Sequence, residues 1–241
     1  TVGGELNAFT NKEDTVYYAA ILKEHFTKAV DLLSDIVFYS LYPQSEINKE
    51  IEVICDEIES YNDSPAELIY DLFENIIFHG HPLGHNILGD AWQLRTYNSE
   101  TAKTFTQRFY KPQNAVFFAY GDINFDNLVD LLKKRTKGFG VQKPIIGDAD
   151  IVAPLPAYQP TTKCIEKGTH QTHVMIGNRA YSVHDERRIA LYLLNNIIGG
   201  PSMNARLNLS LRERYGLVYT VESTMVSYSD TGVWCTYFGC D

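Results

Sequence analysis

Cysteine is scarce and scattered: Cys55, Cys164, Cys235 and Cys240 include no Cys-x-x-Cys pair and form no dense framework. A zinc knuckle and a disulfide scaffold are thereby excluded, and the redox compartment is left open. There is no basic run, and a net charge of -9 with scattered Lys and Arg argues against nucleic acid or an anionic membrane as partner. No apolar stretch approaches the roughly 20 residues of a membrane span. The first residues, Thr1-Val2-Gly3-Gly4-Glu5, have neither the basic start nor the apolar centre of a signal peptide. An initiator Met is missing too, as expected of a chain that begins inside something longer. The expectation is a soluble chain, cytoplasmic or periplasmic, with no membrane and no nucleic-acid partner.

What is present suffices for a core, since 44% of 241 residues are hydrophobic. Leu6 to Thr10 and Val16 to Leu22 read as extended segments joined by the polar loop Asn11-Lys12-Glu13-Asp14, which predicts a hairpin. Helical periodicity runs from Phe26 to Leu41, and Ser64-Pro65 supplies a cap and first-turn proline for a helix through Ile76. Helices are also expected over 101–110, 126–134, 185–198 and 204–214, the third closed by Gly199-Gly200. Ala115 to Tyr120 reads as a buried strand, and further strands are expected near 162–166, 170–176, 218–226 and 232–238.

Between Gly138 and Pro160 the periodicity fails, and glycine and proline become frequent. The implied organisation is a first domain over 1–145, a linker over 146–160 and a second domain from 161 to 241. Regular strand-helix alternation is lacking, so the fold class is α+β, with two related halves.

One helix carries two patterns at once. Ile47, Ile51, Ile54 and Ile58 form a core-facing stripe. Glu46, Glu50, Val53 and Glu57 lie together on a flank about 80 to 120° away. Three carboxylates beside a core need a cation, a donor or water to offset their burial. Taken alone, the pattern fits a solvated acidic edge, the ordinary state of such helices, or a metal ligand.

Four segments together resemble the pitrilysin or insulinase family of zinc metallopeptidases, which includes the mitochondrial processing peptidases. These are Gly3 to Thr10 with Glu13, Thr15 and Tyr17; the Glu50 to Glu57 helix; Pro82-Leu83-Gly84 with Ile87 and Gly89; and Gly199 to Tyr219. The resemblance implies two homologous halves, each an antiparallel-rich mixed sheet with helices on one face. It also implies a zinc-dependent endopeptidase that cleaves peptides or unfolded segments by metal-activated water. By that likeness Glu57 is a zinc ligand and Glu50 its supporting neighbour. Asn7, Ala8 and Phe9 form the strand edge that pairs with substrate, and Arg212 and Tyr219 reach the transition state. The alternative within the family is a non-catalytic homologue that binds peptides or scaffolds an assembly, and a homodimer or homologous partner subunit is compatible with either.

The chain departs from the family in its histidines, none of which stands in a His-x-x-Glu-His arrangement. The family places that motif before the Gly-Gly-x-x-Asn-Ala segment, so it is expected upstream of Thr1, and residues 1–241 alone are not expected to hold zinc or to be active. The cluster His79, His81 and His85 could converge on an ion. Loop structure and solvation explain it more simply.

Overall fold

The computed structural model describes residues 2–140 and 154–241. The elements are β1 (Glu5–Thr10), β2 (Thr15–Ala20), α1 (Phe26–Phe38), α2 (Gln44–Asn62), α3 (Pro65–Ile77), α4 (Ala91–Leu94), α5 (Ser99–Phe109), α6 (Phe125–Thr136), β3 (Thr172–Ala180), α7 (Arg187–Gly199), β4 (Thr220–Ser227) and β5 (Gly232–Cys240), with a π-helical segment over Asn208–Arg214. Every strand pairing is antiparallel, and the fold is α+β.

The chain forms two compact units, one of residues 1–55 and 91–152, the other of 56–90 and 153–241. The division by sequence ran instead at 145 and 161, and its linker falls partly outside the described residues. The units interleave because α3 packs on the β3–β5–β4 sheet rather than on the helices beside it in sequence.

In the first unit, β1 and β2 form the expected hairpin, with Ala8 opposite Tyr17, and the Asn11 N–H closes its turn on the Asp14 carbonyl at 2.8 Å. Helices α1 and α6 are tied by Arg135 and Asp31 at 2.6 Å, and the turn that follows α6 adds Phe139, its ring 5.4 Å from that of Phe38. Asn98 caps α5, its side chain accepting from the N–H groups of Glu100 and Thr101 at 3.0 Å. Ser99 fixes the same helix start to the Tyr42 carbonyl at 2.5 Å.

One expectation fails in this unit. Ala115 to Tyr120 forms no strand among the described residues, and Val116, Phe118 and Tyr120 are 96%, 82% and 95% exposed. Its composition is that of a buried strand, but burial needs a neighbour on each side. A cavity of about 1080 Å³ opens beside it, lined by Tyr17, Phe38, Phe109, Tyr110, Phe117 and Leu132 among others.

In the second unit the strand order is β3–β5–β4. Alternation along β5 sends Val233, Cys235 and Tyr237 to one face, and Trp234 and Thr236 to the other. Helix α3 covers the first face: Phe73 closes on Gly177, and Tyr70 donates to Glu222 at 2.5 Å. Helix α7 covers the second through buried Asn195. Helices on one face were expected, and α3, drawn from the first third of the chain, supplies the other face. The core gathers Ile77, Phe78, Leu83, Tyr228 and Val233, with Phe78 fully buried. The expected strand at 162–166 does not form, and those residues are exposed coil.

Candidate functional site

Helix α2 keeps its two stripes apart, but the carboxylates read as lying beside the core are exposed rather than buried. Ile51 and Cys55 are buried, Ile47, Ile54 and Ile58 are half-buried, and Glu46, Glu50, Val53 and Glu57 are exposed. The isoleucine stripe fixes the helix rotation, and that rotation turns the acidic flank to solvent. Glu50 and Glu57 stand two turns apart on that flank. Glu46 is bound by Lys49 at 2.9 Å. Neither Glu50 nor Glu57 enters an ion pair among the described residues, so both can accept from a ligand.

Asn7, Ala8 and Phe9 lie in β1, whose only partner strand among the described residues is β2. One edge of β1 therefore presents backbone N–H and C=O groups to a further extended segment. The Asn7 side chain accepts the Ala8 N–H at 2.8 Å, and Phe9 is 48% exposed against Tyr18, with ring centroids 6.3 Å apart.

Arg212 and Tyr219 flank the passage from a helix into β4. The expected helix over 204–214 winds as a π-helix from Asn208, a geometry that recurs at functional positions. Gly216 ends it at a φ of 60°, its N–H bonding the Arg212 carbonyl at 3.1 Å. The chain then enters β4, with the Tyr219 N–H on the Gly239 carbonyl at 3.0 Å. Arg212 holds Glu213 through both Nε and Nη2, at 3.0 and 2.9 Å. The Tyr219 hydroxyl donates to Asp241 at 2.6 Å, and that bond together with the Asp241 charge raises the phenol above its ordinary range.

The histidine loop resolves in favour of structure at one position. His81 is buried; its Nδ1 accepts the Leu83 N–H at 3.3 Å, and its Nε2 lies 3.3 Å from Asp230. His79 and His85 are exposed. Among the described residues no three His, Cys, Asp or Glu side chains gather to hold a metal ion.

Sequence reasoning missed a buried polar knot beneath α7. The Ser223 hydroxyl and the Trp234 indole N–H both meet Asn195 Oδ1, at 2.6 and 2.9 Å, and Asn195 Nδ2 donates to the Ser223 carbonyl at 3.0 Å. It anchors the helix that leads to Gly199-Gly200 and Arg212. The signal available was the pair Asn195-Asn196 within the otherwise apolar run 189–198.

These features define an antiparallel α+β protein with an acidic flank on one helix and an exposed hairpin edge. Residues 1–91 match the model of insulinase (peptidase family M16), and residues 96–241 match that of the peptidase M16 inactive domain. The chain belongs to peptidase family M16. It is 34% identical over 244 residues to the uncharacterized zinc protease YmxG of Bacillus subtilis, covering 99% of this chain and 56% of that relative. An uncharacterized zinc protease of Rickettsia bellii is 33% identical over 245 residues, covering 98% and 56%. The chain thus spans about half the length of the curated relatives it matches. The fold is that of the crystal structure of a peptidase M16 inactive domain from Pseudomonas fluorescens, with a TM-score of 0.90, 19% identity, and coverage of 99% of this chain and 57% of that one. A chain of complex III2 from Candida albicans superposes with a TM-score of 0.78 at 17% identity, over 99% of this chain and 58% of that one. No helix among the described residues is long and apolar enough to cross a membrane.

Proposed function

We propose that this chain is part of a zinc-dependent endopeptidase that cleaves peptides or unfolded segments. The observation that carries the reading is the placement of Glu50 and Glu57 on one exposed flank of α2, backed by buried Ile51 and Cys55, in a chain matched almost end to end by relatives named zinc proteases. Glu57 serves as one zinc ligand, with the remaining ligands outside residues 1–241. Bound zinc supplies Lewis acidity and a nucleophilic water near neutral pH.

The chain's own residues bind and orient. The free edge of β1 at Asn7 to Phe9 takes an extended peptide by main-chain hydrogen bonds, which gives affinity with little sequence demand. Phe9 offers an apolar surface to a substrate side chain. The Arg212 guanidinium grips a substrate carbonyl, and the Tyr219 phenol donates to the oxygen that gains charge in the tetrahedral intermediate. Homologous subunits are natural partners for a chain of this family, as copies or as non-identical relatives.

The test is cleavage of an unstructured peptide by the full-length protein and its Arg212→Ala and Tyr219→Phe variants. Loss of one oxyanion donor costs about 10²- to 10³-fold in kcat. Peptide binding without cleavage by the unmodified protein would replace this reading with that of a non-catalytic homologue.

A further inference from the structure

Tyr219 is not a free donor in this structure. Its hydroxyl lies 2.6 Å from Asp241 Oδ2. The two backbones are brought together here: Thr220 stands opposite Gly239 in the β4–β5 ladder, and the Tyr219 N–H bonds the Gly239 carbonyl at 3.0 Å. Asp241 follows Cys240, the last residue of β5, and its carboxylate reaches the Tyr219 hydroxyl from beyond the paired ladder. A phenol has a single O–H. While Asp241 accepts it, nothing is left to donate elsewhere.

We propose that Asp241 is a positioning residue for Tyr219, holding its hydroxyl in the resting site and competing with the substrate oxyanion for its one hydrogen. The inference rests on the reading of Tyr219 as a transition-state contact and adds the group that controls it. A carboxylate oxygen resembles the oxyanion in charge and in its appetite for a short hydrogen bond. Asp241 therefore occupies the donor until a stronger acceptor arrives, and the transfer needs only rotation of the hydroxyl about its C–O bond. The exchange is easy because Tyr219 is 60% exposed, so Asp241 regains water when released. The titration of the phenol supports the geometry. Its shift comes from the Asp241 bond and charge, with a smaller part from desolvation and none from Arg212 or Arg214. The paired Arg is arranged in the same way, since Glu213 holds its Nε and Nη2.

The experiment uses the full-length protein with Asp241→Ala, Asp241→Asn, Tyr219→Phe and the Asp241→Ala, Tyr219→Phe double variant. Steady-state cleavage of an unstructured fluorogenic peptide is followed across neutral and alkaline pH, and tyrosines labelled at Cζ with carbon-13 are titrated by NMR. Asp241→Ala should raise kcat/KM about two- to tenfold, the worth of one exposed charge-assisted bond. Asp241→Asn should fall between, because an amide oxygen still accepts but carries no charge. In the Tyr219→Phe background Asp241→Ala should do nothing. The Tyr219 resonance should titrate at lower pH in Asp241→Ala. Lower kcat/KM in Asp241→Ala, or the same gain with Phe at 219, overturns the competition. An unmoved titration overturns the contact itself. Full cleavage by Tyr219→Phe, or no cleavage by any form, defeats the reading of Tyr219 and the release step with it, while the titration still decides whether Asp241 holds the phenol.

Discussion

Replacing Asn195 by Ala should loosen α7 from the sheet beneath it. Asn195 is 4% exposed and makes three hydrogen bonds, to the Ser223 hydroxyl, the Ser223 carbonyl and the Trp234 indole. Ala removes all three. The Ser223 hydroxyl recovers a partner by turning to the Cys235 carbonyl, 3.1 Å away. The Trp234 N–H and the Ser223 carbonyl have no such second choice. Leaving a buried polar group unsatisfied costs about 1–3 kcal/mol, and the carbonyl, with two lone pairs, lies at the low end. The expected loss is therefore about 2–4 kcal/mol. The assay is urea unfolding of residues 1–241 followed by Trp234 fluorescence in a Trp92→Phe background, which leaves one tryptophan in that stretch. Emission should shift as the indole loses its acceptor. A loss under about 1 kcal/mol with unchanged emission would refute the reasoning, since it would mean the knot is satisfied by water already.

Three other outcomes follow from the packing. A Cβ at Gly177 would sit 2.1 Å from the Trp234 carbonyl oxygen and 2.8 Å from Cys235 Cα, so Gly177→Ala should cost about 3 kcal/mol or more in unfolding free energy; Gly138→Ala, with open space around it, should be near neutral. Burial, followed by bonds to Tyr110 and Glu222 respectively, raises Tyr17 and Tyr70 above 10.0, and burial likewise raises Tyr61 and Tyr237. The folded form then keeps protons that the unfolded chain gives up, so this stabilisation is complete below pH 10.0 and declines above it; a melting temperature that rises between pH 10 and 11 would contradict this. Iodoacetamide should modify exposed Cys164 first and spare Cys55 and Cys235, since burial pushes the Cys235 thiol up; peptide mass mapping over time reads the order.

Periodicity sufficed wherever an element answers to a local rule. The spacing of Ile47, Ile51, Ile54 and Ile58 determines which side of α2 is wet, and Ser64-Pro65 starts α3 where a first-turn proline must stand. The π-helical winding at Asn208–Arg214 obeys no local rule visible in Asn-Leu-Ser-Leu-Arg-Glu-Arg, and only its helical character was readable. Ala115 to Tyr120 was misread because apolar content reports a need for burial and not the presence of a neighbour. The destination of α3 was also hidden: Tyr70 and Glu222 are 152 positions apart, and nothing near either names the other. The candidate residues were legible through resemblance, but their partners were not. That Asp241 bonds Tyr219 depends on the pairing of β4 with β5, which brings the ends of two segments together and is a property of neither alone.

The most direct measurement is the zinc content of the purified full-length protein beside its Glu57→Gln variant, together with peptide cleavage by both. Gln keeps the size and hydrogen-bonding oxygen of Glu but not the charge that a metal ligand needs. On this account the unmodified protein carries stoichiometric zinc and cleaves, while Glu57→Gln loses both; stripped of metal, the two proteins melt at the same temperature, because the side chain is exposed and outside the core. A Glu57→Gln protein that retains its zinc and cleaves at the original rate would contradict the account.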